Sequence, residues 1–427
     1  MVKQTDILVI GGGMAGVISA ITAVRSGMST ILVRQSYGAT SISSGAINLR
    51  GTIEWLRRVQ RSEINPGPLL SEIASQFVNL MNDVGLHYSG EWNRNLLLIN
   101  NLGTIKETQL CPSTMEEGDL CRLNGANILF VGINGFSDFD ANYISRSIKF
   151  FADQALIETN FNIGSVNINF PRIKHTANLS PFDLARLFDK EDVIAEVVAN
   201  IREAVDLAAY THIAFPPVLG LKNPKKTVEI LQNQLGLVCF EILSAPPSVP
   251  GFRLQKALDD LLDRYAVEVI HGKVNGFSDD QNRIQTISVI DKTIRYDIQP
   301  KVVVLSTGKF ISGGIEWNGE LKEPIFNLPV CVDGGFDLPS GMSLLLSDQF
   351  ASDQRLFSAG LKVDGQMHPL APDGEILYAN LFAAGSVISG YNYSQGQGGL
   401  GIPLMSGLLC GKNAVDQLAV EIGRAHV

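Results

Sequence analysis

The sequence predicts an α/β architecture of Rossmann type with a second α/β domain inserted into it, and three observations carry that prediction. The first is a strand–turn–helix–strand pattern at the N-terminus. It reads Ile7-Leu8-Val9-Ile10, then Gly11-Gly12-Gly13-Met14-Ala15-Gly16, a small apolar run over 17–24, and Thr30-Ile31-Leu32-Val33-Arg34. The second is a like pattern opening at Asn127, with Ile128-Leu129-Phe130-Val131 as its strand. The third is a set of short strands after Ala266 that leads into the apolar run Val302-Val303-Val304-Leu305 and ends at Thr307-Gly308. A chain of 427 residues, 45% hydrophobic with 41 glycines, suits a sheet-based core extended by an insertion. The expected division is 1–112 for the first part of the nucleotide-binding domain, 113–252 for the insertion and 253–427 for the second part.

The first turn has the G-x-G-x-x-G spacing, at Gly11, Gly13 and Gly16. Gly11 permits the tight turn, Gly13 lets a pyrophosphate approach the backbone, and Gly16 lets the helix lie close to the strand. The helix then opens with Met14 and Ala15, whose end of the macrodipole is positive and whose N–H groups face a phosphate. An acid is expected about 20 residues on to hold an adenosine ribose. Arg34 stands at that strand end instead. A guanidinium only donates, so Arg34 either pairs with a phosphate or is a solvated strand-end cation.

Composition excludes several classes. Net charge is −9 with no Lys/Arg-rich block, which argues against nucleic acid as a partner. The chain enters a strand almost at once and lacks a run of about 18 apolar residues, so neither a signal peptide nor a spanning helix is expected. Cys111, Cys121, Cys239, Cys331 and Cys410 form no C-x-x-C, so no metal or iron–sulfur site is expected, and the scatter suits a reducing cytosol.

Taken in order, the loop after Arg34 is rich in small and hydroxyl residues, and its Ser43, Ser44 and Gly45 suit a ring edge or a phosphate. Residues 54–85 read as helix, broken by Asn65-Pro66-Gly67-Pro68. Residues 95–110 read as strand, turn and strand, and 113–125 as a polar connection. In the second unit, 128–131 is a strand, 132–140 a structural turn without the third glycine, 141–155 a helix, and 165–170 a strand. Residues 179–210 read as helix, and 212–215 and 238–243 as strands. A proline-rich loop then brings Arg253 to the start of a helix over 254–265, where a rigidly held guanidinium suits an anionic group.

The strands 267–270, 283–290 and 293–298 form a meander feeding 301–308, a recurring feature of flavin-binding Rossmann proteins, and Gly308 ends that strand beside the cofactor. Asn380–Val387 runs as a strand into Gly385 and Ser386. A glycine-dense stretch follows with Gly396, Gly398, Gly399 and Leu400, before a small-residue helix over 404–422. Bare backbone N–H groups there suit a flat polar ring, with the helix N-terminus facing its negative charge. His368 lies just upstream and is a candidate acid or base.

Together these marks resemble the flavoprotein subunit, the B-type, of the anaerobic glycerol-3-phosphate dehydrogenases. They are Gly11 to Gly16, Ser43-Ser44-Gly45, Val131-Gly132-Ile133-Asn134-Gly135, Ala185-Arg186-Leu187-Phe188-Asp189, Pro246-Pro247-Ser248-Val249-Pro250-Gly251-Phe252-Arg253-Leu254, Ser312-Gly313-Gly314, Glu323-Pro324-Ile325 and Phe382-Ala383-Ala384-Gly385-Ser386-Val387. The stretch Gln395 to Gly399 departs from the family's more cysteine- and glycine-rich one. The resemblance implies a Rossmann-type FAD/NAD(P)-binding flavoprotein fold and a flavin relay. It implies partnership with an FAD-bearing catalytic subunit and an iron–sulfur membrane-anchoring subunit. It also implies oxidation of sn-glycerol 3-phosphate to dihydroxyacetone phosphate, electrons passing to quinone, and a cytoplasmic place on the inner membrane face through the partner. FMN is the flavin the resemblance implies, whereas the glycine fingerprint suggests FAD. Alternative readings are a stand-alone flavin dehydrogenase using Arg253 and His368, and a non-catalytic scaffold.

Overall fold

A computed structural model describes residues 1–60, 66–154, 161–173, 178–349, 352, 354–392 and 399–425. The chain opens with β1 (Val2–Ile10), α1 (Met14–Arg25), β2 (Thr30–Arg34) and α2 (Arg50–Gln60). Next come α3 (Gly67–Asp83) and four short strands, β3 (Tyr88–Gly90), β4 (Leu96–Ile99), β5 (Ile105–Thr108) and β6 (Leu110–Pro112). The second α/β stretch is β7 (Asn127–Ile133), α4 (Ala141–Asp153), β8 (Asn162–Ile168), α5 (Pro181–Phe188), α6 (Glu191–Ala204), β9 (His212–Phe215), α7 (Pro224–Leu235), β10 (Val238–Glu241) and α8 (Val249–Arg264). Then follow β11 (Glu268–His271), β12 (Lys273–Asp280), β13 (Arg283–Asp291), β14 (Ile294–Leu305), β15 (Glu316–Trp317), β16 (Leu321–Glu323), β17 (Leu328–Pro329), β18 (Leu381–Ala383) and α9 (Gly401–Ala425).

Two compact units result. One comprises 1–40, 48–73 and 258–427; the other comprises 41–47 and 74–257. The insertion therefore takes in the β3–β6 region and a seven-residue piece after β2, which the boundaries at 113 and 252 leave outside. The cause is pairing: Ile47 bridges Leu110, and the Thr108 hydroxyl donates to the Ile47 carbonyl at 2.9 Å.

In the first unit the sheet order is β11-β2-β1-β14, with β14 also pairing β18. These five strands are mutually parallel, as buried apolar runs require. β14 is one continuous strand where the sequence reads two. Its first half pairs antiparallel with β13, which pairs β12, and its second half pairs β18. β11 joins β2 in parallel and stands outside the meander. At the C-terminal edge Ile10 lies opposite both Val33 and Leu305, so the residues after all three strands share one edge.

α1 and α9 pack closely in this unit. The Ser19 hydroxyl donates to the Gly407 carbonyl at 2.8 Å, an approach that a small-residue face allows. The two ends of the polypeptide are thereby joined, as their glycine-bearing stretches lead one to expect.

In the second unit the order is β10-β9-β7-β8, all parallel, with helices supplying the rest of an apolar core around Phe130, Phe188, Phe215 and Phe240. The expected helix over 179–210 is split into α5 and α6. Asp189 ends α5 and turns its carboxylate to the N–H groups of Leu221 (2.9 Å) and Lys222 (3.0 Å).

Candidate functional site

The first unit concentrates the candidate residues at the C-terminal edge of its sheet, where open α/β sheets bind ligands. β1 turns out at Gly11, whose φ of +124° disfavours any side chain. A Cβ there would lie 2.2 Å from the Ser306 carbonyl oxygen, so β14 closes one side of the turn. At Gly16 a Cβ would lie 1.9 Å from the Gly11 carbonyl oxygen, which fixes how closely α1 approaches the strand.

Gly13 differs. A Cβ there would meet nothing nearer than the Thr40 hydroxyl at 3.4 Å, so internal packing alone does not demand glycine. The Met14 N–H donates to that hydroxyl at 2.9 Å. Ala15 and Gly16 follow in the first turn, where N–H groups have no intrahelical acceptor.

Arg34 is buried, 9% exposed, and its Nη1 stands 2.5 Å from Asp259 Oδ1. Its aliphatic stem covers Gly12, and its guanidinium lies 5.5 Å from the Tyr37 ring centre. Burial removes the solvated-cation alternative. The carboxylate missing from β2 reaches the end of that strand from α8, a partner that sequence distance conceals.

Beyond β14 the chain passes Ser306, Thr307, Gly308 and Lys309. The Thr307 hydroxyl is buried and has no hydrogen-bond partner among the described residues. Gly308 has φ +81°, and a Cβ there would lie 2.7 Å from the Ser312 hydroxyl and 3.6 Å from the Ser386 hydroxyl. Gly385 donates its N–H to the Ser406 hydroxyl at 2.8 Å, and a Cβ on it would lie 2.9 Å from the Ala15 Cβ. Gly308, Ser386, Gly385 and the start of α1 are thus neighbours. Gly399 lies against Asn48, its carbonyl accepts from the Tyr391 hydroxyl, and Leu400 is buried. Gly396 and Gly398 lie outside the described residues.

Ser43, Ser44 and Gly45 belong to the second unit, where the Ser248 hydroxyl donates to the Ser43 carbonyl at 2.5 Å and the Tyr88 hydroxyl to the Gly45 carbonyl at 2.7 Å. Arg253 lies inside α8, not at a helix start. Its Nη1 and Nη2 grip the Glu241 carboxylate at 2.7 and 3.0 Å, and its Nε donates to the Gly220 carbonyl at 2.7 Å. This bidentate, fully buried pair occupies the guanidinium that the sequence offers to an anion.

His368 stacks on Phe382 at 4.4 Å between ring centres, with Nδ1 3.1 Å from Asp364 Oδ2. Asp364 also accepts the N–H groups of Gln366 and His368 at 2.9 and 2.8 Å. Burial alone would raise the Asp364 carboxyl, but its hydrogen bonds with His368 outweigh that and hold it below the usual range. The pair braces the 363–370 hairpin.

Lys309, Thr307 and Asp259 join this edge without any sequence motif to mark them. Each is a single residue outside a recognised spacing; the only signal is that Thr307-Gly308 ends a strand. A glycine that packing does not demand, Gly13, and a partnerless hydroxyl at the same edge fit the pyrophosphate and polar ring of a flavin dinucleotide.

Comparison with known proteins gives the family. The sequence-family model called FAD binding domain matches residues 6–66 and 67–402. A protein of Actinobacillus pleuropneumoniae named as the B-type subunit of anaerobic glycerol-3-phosphate dehydrogenase is 26% identical, covering 94% of this chain and 97% of its own length. One of the same name from Pasteurella multocida is also 26% identical, covering 97% and 99%. A protein of Halobacterium salinarum, named as probably the same subunit, is 24% identical, covering 99% and 100%. These are the relatives that the sequence marks resemble, and of the two flavins the family match supports FAD. Among the described residues, no helix is long and apolar enough to cross a membrane.

Proposed function

The chain belongs to the FAD binding domain family, and from that premise we propose that it is the flavoprotein subunit of an anaerobic glycerol-3-phosphate dehydrogenase. In this reading it receives electrons that a catalytic partner withdraws from sn-glycerol 3-phosphate on the way to dihydroxyacetone phosphate. It passes them through an iron–sulfur subunit toward membrane quinone. The single observation that carries the reading is the glycine turn of β1 closed against the end of β14, beside the partnerless Thr307 hydroxyl. Similarity along the full length to proteins that bear this subunit's name supports the choice of substrate and assembly.

Each residue then has a physical task. Gly11, Gly13 and Gly16 keep the backbone bare for the pyrophosphate, and the N–H groups of Met14, Ala15 and Gly16 open the helix toward it. Gly308, Gly385, Ser386, Gly399 and Leu400 form the ring side, with Gly396 and Gly398 continuing it. Arg34 with Asp259 lines the adenosine end. Ser43, Ser44 and Gly45 belong to the second unit and are given no part in this edge. When bound, the flavin supplies reversible acceptance of electrons, which no side chain can provide. A relay needs no side-chain proton transfer, so Arg253 and His368 serve the fold in this account.

A second reading is favoured by one observation, the Asp364–His368 pair, whose geometry suits a proton shuttle in a stand-alone dehydrogenase. One experiment separates the two. The chain purified with FAD is mixed with glycerol 3-phosphate and an artificial dye, with and without the catalytic partner. Reduction only with the partner supports the relay. Turnover by the chain alone supports the second reading, and colourless protein after FAD supplementation and denaturing extraction sinks both.

A further inference from the structure

Lys309 is 4% exposed. Its Nζ donates to the carbonyls of Phe357 at 2.6 Å and Tyr391 at 2.7 Å. It makes no ion pair among the described residues. Other buried charges are ion-paired, Arg34 with Asp259, Asp119 with Arg94 and Glu241 with Arg253, whereas Glu323, like Lys309, is held by main-chain groups, the N–H groups of Ile325 and Phe326. An ammonium has three donors; beyond these two carbonyls and the Tyr391 ring, 5.5 Å from Nζ to its centre, Lys309 has no anionic partner among the described residues. Burying such a charge unpaired costs several kcal/mol, so its presence calls for a negative group brought from outside.

Position says where that group sits. Lys309 follows Gly308 at the end of β14, two residues after the partnerless Thr307 hydroxyl and three after Ser306, which closes the Gly11 turn. Its hydrogen bonds also tether Tyr391, whose hydroxyl holds the Gly399 carbonyl. We propose that Lys309 is an electrostatic and positioning residue that sets a positive charge against the electron-rich ring of a flavin bound at this edge. The inference rests on the flavin reading above and goes beyond it by assigning the counter-charge to one side chain. In a two-electron reduction near neutral pH, a flavin takes up two electrons and one proton and is left with one negative charge. The electrons come from dithionite in the test below, and from the oxidised alcohol in the proposed reaction.

Among the described groups around Lys309, it is the one whose charge changes near neutral pH. Burial raises the Cys331 thiol, so it stays neutral. On the 355–358 turn Arg355 is paired with Asp333 at 2.7 Å, and Lys362 acts on Cys331. Burial lowers Lys309 itself to about 7, so a nearby negative charge restores its proton at neutral pH.

The test is a spectroelectrochemical titration of the FAD-loaded full chain, using wild type, Lys309→Met and Lys309→Arg with dithionite as reductant. Lys309→Met is expected to disfavour the reduced form at least tenfold at a given potential, and Lys309→Arg to restore it to within about threefold at pH 6. Equal potentials in all three proteins overturn the proposal. So does a Met variant that loses flavin affinity at unchanged potential, since the charge then serves the phosphates. Should Lys309→Met not fold or not hold flavin, the Arg variant decides. Wild type must fall below it in potential as pH rises past about 7, and parallel pH dependences overturn the proposal. A wild-type chain that takes up no flavin fails at the first step, which marks failure of the flavin reading itself.

Discussion

The two units of this chain each hold a parallel sheet built from strand–turn–helix repeats, yet their C-terminal edges are finished in opposite ways. In the first, the edge carries a bare glycine turn, a buried hydroxyl without a partner and a buried ammonium without a counter-charge among the described residues. In the second, Glu241 at the end of β10 is saturated. It accepts from the Thr114 hydroxyl at 2.7 Å, the Leu219 N–H at 2.7 Å and both Nη atoms of Arg253. The last residues of β7 are covered as well: a Cβ on Gly132 would lie 1.9 Å from the Asn167 side-chain oxygen. Parallel strands therefore finish in one edge that calls for a ligand and one whose polar groups are already paired, although both are built from strand–helix repeats. Unsatisfied polar groups distinguish the two edges.

The contrast can be broken most forcefully at the sealed edge. Arg253→Ala strands a fully buried carboxylate and is expected to cost about 3–5 kcal/mol in urea unfolding. A paired replacement, Arg253→Met with Glu241→Leu, is expected to recover most of that loss. A single variant costing under about 1 kcal/mol would show that the pair is not what closes this edge.

The open edge predicts a pH signature. Lys309 titrates near 10.5 when unfolded and about 7 when folded, so between those values the unfolded chain binds the extra proton. Without flavin, stability should rise with pH across that window, by on the order of 5 kcal/mol, and that gain is lost as pH falls to 7. Lys309→Met should lack this rise, as followed by denaturant midpoints at several pH values.

Glycine substitutions give a smaller, paired test. Gly16→Ala drives a methyl into the Gly11 backbone carbonyl and should cost about 2–3 kcal/mol and abolish flavin uptake. Gly132→Ala meets the end of an exposed side chain that can rotate away, and should cost under about 1 kcal/mol. Absorbance of bound flavin and thermal unfolding report both. His368→Ala is expected to cost about 1 kcal/mol, from loss of the hydrogen bond to Asp364.

Much of the first unit was legible because its signals are local. Buried strands read as apolar runs, and Gly11 and Gly16 mark a turn whose geometry only glycine meets. The strand ending at Thr307-Gly308 was expected to rejoin the first strand, and it does so in register, Leu305 beside Ile10. Where pairing decides, local reading failed. The sequence reads β14 as two strands because Pro300 and the charged residues around it interrupt the apolar run, though β1 pairs it on both sides of Pro300, from Asp297 to Leu305. Arg253 read as a rigid anion hook because its partner, Glu241, is twelve residues away and on another element.

By itself, then, the sequence determined the Rossmann pattern, the glycine turn and the flavoprotein relationship, since each is written in contiguous residues whose backbone preferences act over a few positions. Only the tertiary structure decided which polar side chains find partners. It gave Asp259 to Arg34 and Glu241 to Arg253, and left Thr307 and Lys309 wanting. Burial and charge compensation depend on what the folded chain brings within a few ångströms, and spacing along the chain carries no record of that.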